Sequence, residues 1–96
     1  MLSVETVKDA VCDLAFEHGI SKAILFGSFA RGEATDSSDV DLVIELAEPL
    51  GFKRGRICLD LESRIGHPVD LVFGVEQLYP PIRERFESDK VVIYER

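Results

Sequence analysis

Residues 24–45 read "ILFGSFARGEATDSSDVDLVIE", and this stretch decides the fold. An apolar run, Ile24-Leu25-Phe26, stops at Gly27-Ser28. A stretch of small and turn-forming residues follows, and strict alternation begins at Asp39. Strand side chains point to opposite faces in turn. Val40, Leu42, Ile44 and Leu46 therefore share one face, and Asp39, Asp41, Val43 and Glu45 share the other. Two strands joined by so short and largely non-helical a link are expected to pair antiparallel.

Outward from these strands, the pattern alternates between helix and strand. Val4, Val7, Val11, Leu14 and His18 recur at helical spacing, with Ser3 as N-cap and Gly19 as stop, which predicts a helix over 4–18. "KAILFG" (22–27) is a buried strand. "SFARGEATDSS" opens with one helical turn and becomes a loop. Pro49 and Gly51 break the chain, and a second long helix spans 52–65, with Ile57, Leu61 and Ile65 on one face. "PVDLVF" (68–73) is the third strand. "LYPPIRERFES" (78–88) is a short helix with proline in its first turn and Ile82 and Phe86 turned inward. "VVIYE" (91–95) is the last strand, at an edge. A helix between the second and third strands implies a parallel crossover. The class is α/β or α+β: one small mixed sheet with helices packed on it, in a single domain over residues 1–96.

Composition narrows the functions available. The chain has 18 acidic against 11 basic residues and a net charge of −7, which disfavours a nucleic-acid partner. Lys53, Arg54 and Arg56 form one basic cluster and Arg83 with Arg85 another. Both read first as solvated helix faces and second as anion or partner contacts. The start of the chain lacks the basic flank and apolar stretch of a signal peptide, and no segment approaches the roughly 20 apolar residues that span a membrane. A cytoplasmic location is expected. Cys12 and Cys58 show no metal-knuckle or redox spacing, which fits two reduced, half-buried thiols.

The chemistry lies in the aspartates. Asp39 and Asp41 point to one face about 6–7 Å apart along the strand, from two rises of about 3.3 Å. Such a pair suits a shared hard cation, which takes oxygen ligands and keeps water or phosphate in its other positions. A parallel pairing of "DVDLVIEL" with "PVDLVF" would set Asp70 beside Asp41. Three carboxylates can hold two cations for in-line phosphoryl displacement. Gly27 lets the backbone approach a ligand, Ser28 adds N–H and hydroxyl donors, and Arg31 presents a fork suited to phosphate. Each signal alone is weak, and their joint spacing carries the reading. Three related motifs fail. Gly27 and Gly32 have P-loop spacing, but Glu33-Ala34 follow them instead of Lys and Ser/Thr. "DSSDVDLVIE" lacks the turn glycine of a calcium loop, and no G-x-G-x-x-G occurs. His18 and His67 show no metal spacing and read as core or loop residues.

"GSFARGEATDSSDVDL", followed by the distant Asp70, resembles the signature of the polymerase-β-like nucleotidyltransferase superfamily. The Ala30-Arg31-Gly32 and Ser38-Asp39 details are most similar to the minimal nucleotidyltransferases, and the resemblance spans nearly the whole chain. It implies a nucleotidyltransferase core with helices on one side of a mixed sheet. Asp39, Asp41 and Asp70 would be catalytic and metal-binding, holding two Mg²⁺ ions. Gly27, Ser28 and Arg31 would hold the triphosphate of ATP. It further implies an antitoxin role beside a HEPN-domain ribonuclease toxin, with AMP transferred from ATP to a hydroxyl of that partner. The alternative is a non-catalytic antitoxin that neutralises its partner by complex formation.

Overall fold

The structure, a computed structural model, describes residues 3–35, 37–47, 51 and 54–96, and of Arg54 only the backbone. Ser3 opens the first helix by accepting the Thr6 N–H on its Oγ at 3.3 Å, and α1 runs Val4–His18 to a stop at Gly19. Strand β1 (Ile20–Phe26) leads directly into a single helical turn, α2 (Gly27–Arg31). Strand β2 (Val40–Leu46) follows the loop, α3 (Arg54–Ile65) crosses over, and β3 is Val69–Phe73. A 3₁₀ turn at Val75–Gln77 precedes α4 (Pro80–Asp89), and β4 (Val91–Glu95) ends the fold. Pro49 and the first residues of the expected 52–65 helix, Phe52 and Lys53, lie outside the described residues.

The sheet order is β3-β2-β1-β4. β1 is antiparallel to both β2 and β4, whereas β2 and β3 are parallel, so both expected pairings occur and β4 is an edge. α1 and α3 pack on one face. Val7, Val11, Leu14, Ile57, Leu61 and Ile65 meet Ala23, Leu25, Val40, Leu42 and Ile44 there. Leu61 is fully buried in this layer. Leu61→Ala is expected to lower unfolding free energy by about 2–5 kcal/mol in urea titration, because the cavity left between α3 and the sheet closes only in part.

The opposite face is smaller. Ile24, Phe26 and Val43 lie there, covered at one end by Leu78 and Phe86. Phe86 meets Phe26 edge-on at 5.4 Å between ring centres. Ile82 departs from expectation, because it is 44% exposed while Phe86 is 1% exposed. A 10-residue helix held by one aromatic anchor turns its remaining apolar residue outward. No helix among the described residues is long and apolar enough to cross a membrane. Cys58 is half-buried as expected, whereas Cys12 is exposed, on the side of α1 away from its buried stripe, and neither forms a disulfide.

Candidate active site

The β2–β3 register pairs Asp41 with Asp70, and the β1–β2 register pairs Asp41 with Phe26. Adjacent strands lie about 4.8 Å apart, so the two carboxylates stand side by side. They share the sheet face that carries Val43 and Val72, opposite α1 and α3. Asp39 directly precedes β2, close enough for its charge to act on Asp41. The strands fold this way because Val40, Leu42 and Ile44 must enter the core. A slip of one residue would bury the aspartates instead.

Asp41 is half-buried, while Asp39 and Asp70 are exposed. Burial, then the charge of Asp70, then that of Asp39, push the Asp41 carboxyl from an ordinary 3.8 up to about 6, and Arg31 pulls the other way. An anionic cluster that burdens its own central member is a donor set that fits a divalent cation, which would relieve the repulsion. All the donors are carboxylate oxygens, which favours a hard ion. Among the described residues, ligand atoms gathered within 4.8 Å of one another occur at Glu17, His18 and Asp60, away from these strands. There His18 Nε2 already bonds Asp60 Oδ2 at 2.7 Å, and Arg56 Nε lies 3.6 Å from the same oxygen. The strand aspartates are set more openly. Their spacing suits an ion that shares its ligands with water and phosphate.

Gly27 follows β1 and opens α2 with φ +77°, and a β-carbon there would fall onto Asp41 Oδ2 and lie 3.2 Å from its Cγ. Glycine is thus what lets the turn pass over the carboxylate. Ser28 opens the same turn, and no bond to another described residue occupies its hydroxyl. A cavity of about 380 Å³ joins Gly27, Ser28, Arg31, Asp41 and Asp70 to the start of α4. Five of the six expected site residues therefore line one space; Asp39 does not line it, though its charge acts on Asp41.

Arg31 is in the cavity wall but already engaged. Its Nη1 donates to Asp89 Oδ2 at 2.6 Å and its Nε to Glu33 Oε1 at 3.0 Å, and these two bonds raise its pKa further. Asp89 was not legible as a site residue, because 58 positions separate it from Arg31 and only the docking of α4 unites them. His67 also gains a role. Its Nε2 donates to the Ser38 carbonyl and its ring meets Phe29 edge-on at 5.7 Å, which braces the loop ahead of Asp39. The Arg83 guanidinium donates to the backbone carbonyls of Val75, Glu76 and Leu78 and so holds the 3₁₀ turn. Arg85 lines the cavity. In the other basic cluster, Lys53 and the Arg54 side chain lie outside the described residues, and Arg56 is exposed.

Comparison with known proteins agrees with this arrangement. Residues 4–95 match the model of the nucleotidyltransferase domain. The chain is 34% identical over 77 residues to the protein adenylyltransferase MntA of Thermococcus cleftensis, covering 75% of this chain and 78% of that one. A solved structure provisionally named a minimal nucleotidyltransferase aligns at a TM-score of 0.73 with 34% identity, covering 94% of this chain and 95% of the other. A toxin–antitoxin structure solved with AMP-PNP aligns at a TM-score of 0.75 with 20% identity over 93% of this chain and 73% of its own, and so shares the fold. Sheet, carboxylates, glycine turn and family model agree: the chain belongs to the nucleotidyltransferase domain family, in its minimal nucleotidyltransferase branch, and is a nucleotidyltransferase enzyme.

Proposed function

We propose that this single domain transfers AMP from ATP to a hydroxyl of a partner protein, and that the partner is a HEPN-type toxin which the chain neutralises. The observation that carries the chemistry is the Asp41–Asp70 register beside Gly27-Ser28. The protein acceptor is supported by the adenylyltransferase relative and by the fold shared with a toxin–antitoxin protein.

Asp39, Asp41 and Asp70 would hold divalent cations, magnesium by the oxygen-only donor set and two ions by the charge balance. When bound, the metal neutralises triphosphate charge and acidifies the attacking hydroxyl. The chain's own residues supply position. Gly27 and Ser28 cradle the triphosphate with N–H and hydroxyl donors, and Arg31 turns its fork toward it. Asp70, the more exposed of the paired carboxylates, orients the acceptor hydroxyl and takes its proton. The acceptor oxygen bonds to the α-phosphorus as the bond to the β-phosphate oxygen breaks, and pyrophosphate leaves. Holding both reactants in line is the main contribution of these residues.

The test incubates the chain with its partner and ATP labelled at either the α- or the γ-phosphate. Label from the α position should reach the partner, label from the γ position should not, and EDTA should stop the reaction. Transfer of γ-label, or of none, defeats the proposal. Neutralisation that persists without ATP would instead favour complex formation, for which exposed Phe16 and Leu59 offer apolar surface.

Asp89 affects binding in a predictable direction. It places a further carboxylate in the cavity wall and occupies Arg31. Asp89→Asn should tighten Mg–ATP binding by about two- to fivefold in calorimetry, the scale of one solvent-screened pair. Weaker binding would mean that Asp89 positions Arg31 instead of competing for it.

A further inference from the structure

The cavity extends beyond the phosphate-gripping residues. Its lining joins Asp41 and Asp70 to the apolar side chains of Val72, Leu78, Tyr79 and Ile82 and to Gln77 and Arg85. Tyr79 is 67% exposed and Ile82 is 44% exposed. Both line a space that Asp41 and Asp70 line as well. Neither supports the core, which Phe86 and Leu78 fill from the same segment. The Tyr79 side chain also makes no capping bond to α4; its backbone carbonyl receives the Ile82 and Arg83 N–H groups. A large aromatic ring left in water beside a charged site is surface with an unmet apolar partner.

We propose that Tyr79 and Ile82 form the nucleobase subsite of the bound nucleotide, with the base stacked on the Tyr79 ring against the Ile82 side chain. Continuity selects this occupant. One cavity joins this wall to the triphosphate residues, so a nucleotide whose phosphates lie at Gly27 and Ser28 must carry its sugar and base along the only apolar wall among the residues lining that cavity. The guanidinium of Arg85, which bonds no other described residue, and the amide of Gln77 line the same cavity and offer donors for ribose hydroxyls or base edges. Stacking tolerates any base, because every base has a π face. The subsite rests on the reading of this site as a nucleotide site.

The test measures binding of Mg–ATP and Mg–tripolyphosphate to the whole chain by calorimetry. The wild type should hold ATP at least about tenfold more tightly than tripolyphosphate. Tyr79→Ala should lose about that factor for ATP and keep the tripolyphosphate affinity, whereas Tyr79→Phe should keep both. Tyr79→Ala together with Ile82→Ala should bring the two ligands to the same affinity. The proposal is overturned if Tyr79→Ala binds ATP as the wild type does, including the case in which only the KM for the acceptor protein rises, which would make this wall an acceptor surface. It is also overturned if tripolyphosphate weakens in parallel, because the substitution would then act through α4. A wild type that binds neither ligand removes the nucleotide reading itself, and this subsite with it.

Discussion

Asp41→Asn should reduce AMP transfer by about 10²–10³-fold or more and, in metal-free buffer above pH 6, make the folded chain more stable. The first effect follows from position. Asp41 is the one carboxylate that neighbours both other aspartates and the glycine turn. Losing its charge removes electrostatic preorganisation, which is commonly worth that factor. The second effect follows from the raised carboxyl. The folded pKa is about 6 and the ordinary value is 3.8. Below about pH 4 the group is neutral in both folded and unfolded chains and has no effect. As pH rises from about 4 to about 6 the unfolded chain is ionised while burial, Asp70 and Asp39 resist ionisation of the folded one, so stability is lost across that window. The shift is about two pKa units, and with screening of a half-exposed group the penalty above pH 6 is about 1–2 kcal/mol. Asparagine keeps the shape and removes this penalty.

Magnesium should reverse the ranking. An ion that binds the folded chain alone raises its melting temperature by mass action. Wild type should therefore gain melting temperature on addition of Mg²⁺, whereas Asp41→Asn gains little. Two measurements check the pair of effects, transfer of α-label and melting with and without metal at pH 5 and 7.5. Transfer within tenfold of wild type would remove Asp41 from the site. A variant less stable than wild type at pH 7.5 without metal would contradict the repulsion.

Such a strained acidic cluster is legible in the sequence because strand chemistry is local. Alternation in "DVDLVIEL" leaves one register that buries Val40, Leu42 and Ile44, and it fixes the face of Asp39 and Asp41 at the same time. The helix between β2 and β3 required a parallel crossover, and Val69 and Leu71 then set the register of Asp70. The 4–18 helix was legible for the same reason, with a cap, a stop and an apolar stripe in agreement. The α4 region was not. Its ten residues bury Phe86 alone, and its orientation comes from the Phe26 ring and the Arg31–Asp89 pair, both distant in sequence. Ile82 therefore points outward where periodicity placed it inward. With it went the apolar wall of the cavity and the competitor of Arg31. No spacing rule connects Tyr79 or Asp89 to Gly27, because the connection is made by tertiary packing.

Gly27 and Gly32 offer a matched pair that isolates the close approach from the backbone conformation. Both lie in the left-handed region, at φ +77° and +74°, one at each end of the α2 turn. Alanine at either position costs about 1–2 kcal/mol of strain. Their surroundings differ. A β-carbon on Gly32 meets nothing within 4 Å, whereas one on Gly27 lands on the Asp41 carboxylate. Both variants should thus lose similar stability from backbone strain, with Gly27→Ala losing somewhat more. Only Gly27→Ala should lose function, by about 10²-fold in transfer, because displacing a reacting-site group by about 1 Å has that effect. Denaturant melts and α-label transfer on the two proteins decide the matter. Equal loss of transfer would place the defect in the turn's conformation and not in the carboxylate. A cycle with Asp41→Asn sharpens the result. If Gly27→Ala acts by moving Asp41, it should add little once the Asp41 charge is gone, and the two losses should fall far short of multiplying. Fully multiplicative losses would show instead that Gly27 serves the triphosphate through its own N–H, independently of the acid beneath it.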